Sequence, residues 1–107
     1  MKHLAIHVTI SGQGGHGSRP DLSVNPINCY AALYDALSQQ LPVGCTFAVT
    51  HIDGGTQRNI IPDRLVFDGT FSFESDTAAD FLRSRTEHIC RHICAACGCT
   101  CQIQYYT

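Results

Sequence analysis

The 107-residue sequence predicts an α+β fold in which two helices cover one face of a four-stranded antiparallel sheet. Four segments have the alternation or the residue composition of strands, and two segments carry an apolar stripe at helical spacing. Their order along the chain is β-α-β-β-α-β. That order defines the split, ferredoxin-like arrangement, which places both helices on the same side of the sheet.

The first three strands are recognised by pattern and composition. The first strand is predicted over residues 3–11, with His3 and His7 on its outer face, where we expect them to be solvated. Its apolar face comprises Leu4, Ile6, Val8 and Ile10. β-branched and aromatic residues indicate a second strand over residues 45–52. The third strand alternates with a period of two, and one face comprises Leu65, Phe67, Gly69, Phe71 and Phe73.

The first helix is predicted to begin at Asn25 and Pro26. Asparagine caps free backbone N–H groups, and proline suits the first helical position because its missing donor is not needed there. Pro42 and Gly44 are expected to end the helix. The apolar stripe between these signals comprises Ile27, Tyr30, Ala31, Leu33, Tyr34, Leu37 and Leu41.

The second helix is predicted to start with Ser75 or Asp76 as its cap and to end at Gly98. Its buried side is expected to comprise Ala79, Leu82, Ile89, Ile93 and Cys97. A last strand follows over residues 99–106. Its inner face is expected to comprise Cys99, Cys101, Ile103 and Tyr105.

Length and charge exclude several classes of protein. Residues 1–107 suit one domain. Seven Lys and Arg leave a net charge of −2, so the chain carries no electrostatic footprint for nucleic acid. No apolar run reaches the length of a membrane span, and residues 1–7 are too polar for a signal peptide. Seven cysteines without an export signal indicate reduced thiols and a cytoplasmic protein.

The loop over residues 11–20 concentrates four glycines around His16. Glycine accepts positive φ without strain and lets two backbones approach closely, so this composition serves more than packing. Two interpretations stay open from this loop alone. It is either a flexible turn with an incidental histidine or a tight loop that presents an imidazole to a ligand.

A nucleotide site is a weaker interpretation of the same glycines. Gly12, Gly14 and Gly17 fit G-x-G-x-x-G, the pattern of a dinucleotide-binding loop. In that fold the glycines open a helix, whereas here Pro20 follows at once and no second parallel β-α-β unit exists. An RNA-binding sheet is also not expected, because the phenylalanines of the third strand share their face with Leu65.

A cysteine-based metal module is the other chemical interpretation of the chain. Cys94 and Cys97 have the C-x-x-C spacing that zinc sites use. The C-terminal cysteines also fall on the apolar faces of the second helix and the last strand, and no second ligand pair completes a site. We therefore interpret them as small core residues and predict no metal ligand in this chain.

Three motifs taken together resemble the lid, or dimerisation, domain of the zinc aminoacylase, carboxypeptidase and amidohydrolase family. Residues 14–20 read Gly-Gly-His-Gly-Ser-Arg-Pro and are followed by Asn-Pro-Ile at 25–27. Residues 54–63 read Gly-Gly-Thr-Gln-Arg-Asn-Ile-Ile-Pro-Asp, and Gly-Thr follows at 69–70. The resemblance covers essentially the whole chain, in the family's order. The family includes aminoacylase, hippurate hydrolase and succinyl-diaminopimelate desuccinylase.

The resemblance implies a domain that is not catalytic alone. It implies a homodimer formed through the lid, a parent metallohydrolase whose separate catalytic domain holds two zinc ions, and a small amide or peptide as substrate. His16 matches the histidine that reaches the partner's active site and stabilises the oxyanion. Asn59 matches a residue that holds substrate together with the glycine loop, here Gly55 and Thr56. The second strand and the first helix are expected to form the dimer surface.

One position departs from the family pattern. Ser72 stands where family members usually carry an arginine that meets the substrate carboxylate. Arg58 or Arg19 could serve instead, or a free carboxylate is not recognised. The alternative function is a free-standing ferredoxin-like module that binds a small molecule or acts in regulation. The reading frame around residues 1–107 discriminates between the two hypotheses.

Overall fold

A computed structural model describes residues 1–39 and 41–106. The strands are β1 (Lys2–Ser11), β2 (Gly15–His16), β3 (Thr46–Asp53), β4 (Ile60–Ile61), β5 (Arg64–Phe73) and β6 (Thr100–Tyr106). The helices are α1 (Pro26–Ser38) and α2 (Asp76–Cys97), and a short 3₁₀ turn covers Pro20–Leu22. In the described part of the chain, no helix is long and apolar enough to cross a membrane.

The main sheet has four strands in the order β3-β5-β1-β6, and every neighbouring pair is antiparallel. β5 is inserted between β1 and β3, which α1 connects, and this insertion defines the split β-α-β arrangement. Both edge strands, β3 and β6, pair on one side only. The predicted fold class is confirmed, and the structure adds β2 and β4, two short strands that were not predicted.

The core lies between one face of this sheet and the two helices. The alternating faces predicted for β1 and β5 are buried at every predicted position. Phe67 and Phe71 form the largest part of this layer, and Tyr30 of α1 packs edge-on against Phe67 with ring centroids 5.1 Å apart. The period-of-two pattern thus identified the inner face of both central strands correctly.

Helix α1 differs from its prediction in length and in face. It ends at Ser38 instead of reaching Pro42, so Leu41 packs against the core from beyond the helix, and residue 40 lies outside the described residues. The Arg85 guanidinium of α2 donates to the backbone carbonyls of Ala36 and Gln39, and so satisfies free carbonyls at this helix end. The α1 side chains that are buried are Pro26, Cys29, Leu33 and Leu37.

Three residues of the predicted α1 stripe are exposed instead of buried: Ile27, Ala31 and Tyr34. The apolar residues cover more of the helix circumference than one sheet face can bury, so the helix buries one side of this apolar surface and leaves the other side exposed. Tyr34 and Ile27 are each 42% exposed.

Helix α2 has the predicted ends. The Ser75 side chain accepts a hydrogen bond from the Ala78 N–H at 3.2 Å, and Gly98 takes a left-handed conformation with φ of 77° as the C-terminal cap. The prediction of its buried face was shifted. The fully buried side chains are Leu82, Thr86, Cys90 and Cys94, while Ala79, Ile89, Ile93 and Cys97 are half-buried.

The cysteines pack as small core residues. Cys29, Cys90, Cys94 and Cys99 are buried, and all seven thiols are free. The Cys29 and Cys94 sulfurs lie 3.5 Å apart across the contact between α1 and α2. Burial raises the pKa of Cys94 to about 12, and it also raises the pKa of Cys29, so both thiols stay protonated. Within residues 1–39 and 41–106, no cluster of three or more His, Cys, Asp or Glu side chains could hold a metal ion.

Candidate functional site

The two glycine-rich loops lie side by side, because β2 of the first loop pairs with β4 of the second. This small antiparallel sheet aligns Gly15 with Ile61 and His16 with Ile60. The Gly17 N–H extends the pairing by donating to the Asn59 carbonyl at 2.8 Å. Segments far apart in sequence therefore form one unit that carries both His16 and Asn59. We call this unit, residues 12–19 with 59–63, the paired loops.

Asp63 fastens the paired loops with its backbone and its side chain. Its carbonyl accepts a hydrogen bond from the Gly12 N–H at 2.8 Å, and its carboxylate Oδ1 accepts one from the Gly14 N–H at 2.8 Å. A carboxylate that accepts a backbone N–H makes a charge-assisted bond, which is stronger than a neutral one. The first loop is thus held at two successive glycines by one residue of the second.

Close approach, and not positive φ, explains the glycines at the centre of the first loop. A Cβ atom at Gly14 would lie 2.3 Å from the Ile61 carbonyl oxygen, so no side chain fits there while the loops stay paired. The glycines with positive φ are Gly44, Gly55 and Gly98. The two loops approach each other so closely that only glycine is compatible with their pairing at this position.

The first loop is also tied to the start of α1. Gln13 and Val24 exchange two backbone hydrogen bonds, each 2.8 Å long. The Asn25 side chain then caps α1 by accepting the Ile27 N–H at 3.0 Å, as predicted. The loop that carries His16 is therefore bonded to the second loop on one side and to the helix start on the other, which argues against a flexible turn.

The His16 ring is exposed at the end of β2, next to a tight turn in which the Arg19 N–H donates to the His16 carbonyl at 3.0 Å. Within this turn the ring folds back on Ser18. Its Nδ1 atom lies 3.1 Å from the Ser18 backbone nitrogen and 2.7 Å from Ser18 Oγ. The other ring nitrogen, Nε2, is directed away from this pair of contacts by the geometry of the imidazole.

A depression of about 390 Å³ lies on the second loop, beside the strand that pairs with His16. Gly55 and Thr56 line it together with Gln57 and residues 60–63. Asn59 is exposed and does not line the depression, but its backbone lies against Gly17. The structure thus places His16 on β2 opposite Ile60 and Asn59 directly before β4, while Gly55 and Thr56 lie at the depression beside that strand.

The cations considered for a substrate carboxylate differ in their surroundings. The Arg19 guanidinium donates to both carboxylate oxygens of Asp21, at 3.1 and 2.9 Å, and lowers the pKa of that carboxyl. Arg58 lies in the exposed second loop and forms no ion pair within the described residues. Ser72, at the position of the expected arginine, contacts His3 Nδ1 at 3.1 Å on the helix-free face of the sheet. Arg58 is therefore the less engaged of the two guanidinium groups.

The outer face of the sheet carries both N-terminal histidines, as expected, but His7 is not simply solvated. Its Nδ1 lies 2.7 Å from Asp68 Oδ1, because the pairing of β1 with β5 places these two residues side by side. Both side chains are about one third exposed. This contact joins the two central strands on the helix-free face of the sheet and involves no residue of the paired loops.

The surface formed by the edge of β3 and the exposed side of α1 is apolar. Ile27 and Tyr34 of α1 and Ile52 of β3 are 42%, 42% and 48% exposed. Tyr34 packs towards Phe47 of β3 with ring centroids 6.4 Å apart, so the helix side and the strand edge are continuous. β3 contains no lysine, arginine or proline, the residues that commonly protect an edge strand from pairing.

The opposite edge of the sheet has a different character. Beside β6, helix α2 presents Arg83, Glu87 and Arg91. Arg83 lies over the Tyr105 ring at 5.4 Å, and the Tyr105 hydroxyl donates to Glu87 at 2.9 Å. Charged and hydrogen-bonded side chains therefore lie along the β6 edge. The apolar surface of α1 and β3 is the better candidate for contact with another chain.

Two residues of the site were missed as functional from the sequence. Both Ser18 and Asp63 are part of the sequence motifs, but no role was assigned to either residue. The contact of Asp63 with Gly14 joins residues 49 positions apart, so no local pattern reports it. The contact of Ser18 with His16 is local, and the spacing of a serine two positions after a histidine in a glycine-rich turn was the available signal.

Comparison with known proteins gives a consistent picture. The family model described as the peptidase dimerisation domain matches residues 2–96. An N-acetyldiaminopimelate deacetylase of Exiguobacterium sibiricum is 30% identical over 106 residues, covering 94% of this chain and 29% of the relative. Thermostable carboxypeptidase 2 of Saccharolobus solfataricus is 29% identical over 107 residues, covering 94% of this chain and 27% of the relative. The chain therefore spans less than a third of the length of either relative.

Solved structures share the fold. A hydantoinase/carbamoylase family amidase from Burkholderia ambifaria superimposes with a TM-score of 0.91 at 14% identity, over 98% of this chain and 27% of that one. An aminobenzoyl-glutamate utilization protein from Klebsiella pneumoniae gives a TM-score of 0.85 at 19% identity, over 96% and 27%. At these identities the likeness shows the fold alone.

Proposed function

The chain belongs to the peptidase dimerisation domain family, and from this membership we propose that it is the dimerisation and lid domain of a di-zinc peptidase or amidohydrolase. In this proposal the chain is not catalytic alone. It pairs with a second copy and supplies His16 to the active site of the partner subunit. The substrate is an N-acyl amino acid or a small peptide whose amide bond is hydrolysed.

The observation that carries the proposal is the position of His16 on the paired loops. An exposed imidazole on a loop that is hydrogen-bonded on both sides is held out for contact with another body. The described residues place no nucleophile or carboxylate against its Nε2 atom that could complete a site within this chain. A lone positioned donor fits one role in amide hydrolysis well, the stabilisation of the oxygen that becomes negative in the tetrahedral intermediate.

The residues of this chain do not fit a zinc site. No suitable cluster exists in the described residues, and burial raises the pKa of the Cys94 thiol, one half of the C-x-x-C pair, to about 12 and keeps it protonated. In the proposal both zinc ions belong to a catalytic domain outside residues 1–107. In the proposal the protein works in the cytoplasm, a reducing compartment in which its seven cysteines stay as thiols.

Substrate binding is assigned to the wall beside His16. Asn59 has a side-chain amide that can both donate and accept, and its backbone is fixed against Gly17. Gly55 and Thr56 contribute backbone and hydroxyl groups at the depression. The arrangement suits a small polar amide that contacts both loops at once.

A mixed-dimer experiment tests the contribution in trans. The complete gene product is prepared in two forms, one with His16→Ala and one with an inactivated catalytic domain, and the inactive forms are mixed and allowed to exchange subunits. If His16 acts across the dimer, the His16→Ala subunit receives an intact histidine from its partner and turnover returns. Continued inactivity in exchanged dimers contradicts action in trans. An active His16→Ala homodimer with unchanged turnover contradicts the oxyanion role.

The reading frame provides the control for the domain assignment. Ligand motifs of a metallohydrolase on either side of residues 1–107 support the proposal. Natural termini at residues 1 and 107 favour the alternative, a free-standing module that binds a small molecule, for which the depression of about 390 Å³ is the candidate site.

A further inference from the structure

The ring of His16 is held by two donors from one residue. The Ser18 backbone N–H donates to Nδ1 at 3.1 Å, and the Ser18 hydroxyl lies 2.7 Å from the same atom. A backbone N–H can only donate, so Nδ1 must offer its lone pair. A neutral imidazole carries one proton, and here that proton is on Nε2.

We propose that Ser18 is a positioning residue that fixes the tautomer and the orientation of the His16 ring. The turn from His16 to Arg19, closed by a 3.0 Å backbone hydrogen bond, brings the Ser18 N–H and hydroxyl to one side of the ring. Nε2–H then points away from the turn as the only donor of the imidazole. The Ser18 N–H and hydroxyl are assigned contacts with the His16 ring alone and none with substrate.

The inference rests on the proposed function and makes it more specific. A donor to a developing oxyanion must carry its hydrogen before the reaction and must not need to reorient during it. Ser18 meets both requirements, because it occupies the nitrogen that would otherwise compete for the proton. The backbone N–H also disfavours a proton on Nδ1, so the proton of the neutral ring stays on Nε2, the nitrogen that faces away from the turn.

The tautomer is measured on the 107-residue chain by ¹⁵N NMR of labelled histidine rings at about pH 8.5, where imidazoles are ordinarily neutral. The His16 signals are assigned by their loss in His16→Gln. We expect a protonated Nε2 and an unprotonated Nδ1 in the native chain. Ser18→Ala removes the hydroxyl and keeps the backbone N–H, so both shifts should move part of the way towards the tautomer mixture of free histidine, and Ser18→Thr should keep the native signature. Shifts that stay native in Ser18→Ala overturn the role of the hydroxyl. A native chain that already shows the free-histidine mixture overturns the proposal.

Ser23→Ala is the matched control, because the Ser23 hydroxyl donates to the Pro20 carbonyl at 3.1 Å in the same segment without touching a histidine. It should leave the His16 signals unchanged. An equal effect of Ser23→Ala and Ser18→Ala would mean that the loop is merely loosened.

Kinetics of the complete enzyme separate positioning from folding. Ser18→Ala should lower kcat about 5- to 10-fold, the loss expected for one hydrogen bond, with KM nearly unchanged. Ser18→Thr should restore kcat, and in the His16→Ala background Ser18→Ala should have no further effect. An equal loss in that background overturns the proposal. An unchanged kcat in His16→Ala, together with the native tautomer signature, overturns the proposed function and leaves the ring geometry standing.

Discussion

Alanine substitution at adjacent glycines tests whether the paired loops depend on close backbone approach. In Gly14→Ala, the new Cβ would lie 2.3 Å from the Ile61 carbonyl oxygen and 3.0 Å from the Asp63 backbone nitrogen. Both atoms belong to backbone in hydrogen-bonded segments and cannot rotate away, so the loops must separate. In Gly15→Ala the nearest atom is Ser23 Cβ at 3.7 Å, an ordinary contact. The second variant is the matched control for the general effect of replacing glycine.

The magnitude follows from the bonds that separation breaks. The Gly14 N–H loses Asp63 Oδ1 and the Gly17 N–H loses the Asn59 carbonyl, each at 2.8 Å. A hydrogen bond to a charged group contributes about 1.5–3 kcal/mol and a neutral one about 0.5–1.5 kcal/mol. Asp63 is exposed, so water replaces part of its bond, and we expect a loss of about 2 kcal/mol in the free energy of opening the loops.

Amide hydrogen exchange at Gly17 reports this opening directly. A loss of about 2 kcal/mol accelerates exchange about 30-fold in Gly14→Ala. Gly15→Ala should exchange at nearly the native rate, because its new Cβ makes only an ordinary contact. Replacing glycine also restricts the opened chain, which can only slow the exchange. The free energy of unfolding of the whole domain in urea should fall by a similar amount, because the broken bonds belong to the folded state and are absent from both the opened and the unfolded chain. Equal exchange rates in the two variants would refute the argument from close approach.

Two further predictions concern the core thiols and the dimer surface. Burial raises the pKa of the Cys90 thiol above its value in the unfolded chain. The contribution of this thiol to stability is therefore complete below about pH 8.5 and is lost as pH rises further, by up to about 1.4 kcal/mol per pH unit. Urea unfolding in reductant between pH 7.5 and 10 should show this decline, and a flat profile would contradict it. Tyr34→Asp should convert the proposed homodimer to monomer in sedimentation, while Phe81→Asp, at a 50% exposed site on α2, should not. Dissociation by both variants, or by neither, would exclude the surface of α1 and β3 as the dimer contact.

The strands of the core could be predicted almost to the residue. Their alternation is a direct consequence of backbone geometry, and one wrong register would expose every apolar side chain of β1 or β5. The buried faces of the helices were predicted less accurately. Ile27 and Tyr34 are apolar like the buried Leu33, and nothing local distinguishes a residue that faces the sheet from one that faces another chain. That distinction depends on how the finished layers meet.

The site was predictable only in part. His16 and Asn59 were identified through a resemblance between motifs, and their roles stay predictions. The pairing of β2 with β4 could not be predicted, because two-residue strands have no periodicity and their partners lie far apart in the chain. The glycines were recognised as unusual for two reasons, and the structure shows that close approach is the one that applies to Gly14.

The proposed dimer surface runs along β3, and its part around Ile52 lies at the end of the sheet that leads into the paired loops. β1 leads directly into the His16 loop after Ser11, which is paired with Arg64 at the start of β5. β5 also pairs with the edge strand β3, where Asp53 lies beside Val66 at the entry to the second loop. Two adjacent ladders of the main sheet therefore connect the proposed dimer surface with the loop that carries His16. If His16 acts across the dimer as proposed, a variant that loosens the dimer should lower the turnover of the complete enzyme even where no substrate contact has been changed, because the position of the donor then depends on the interface.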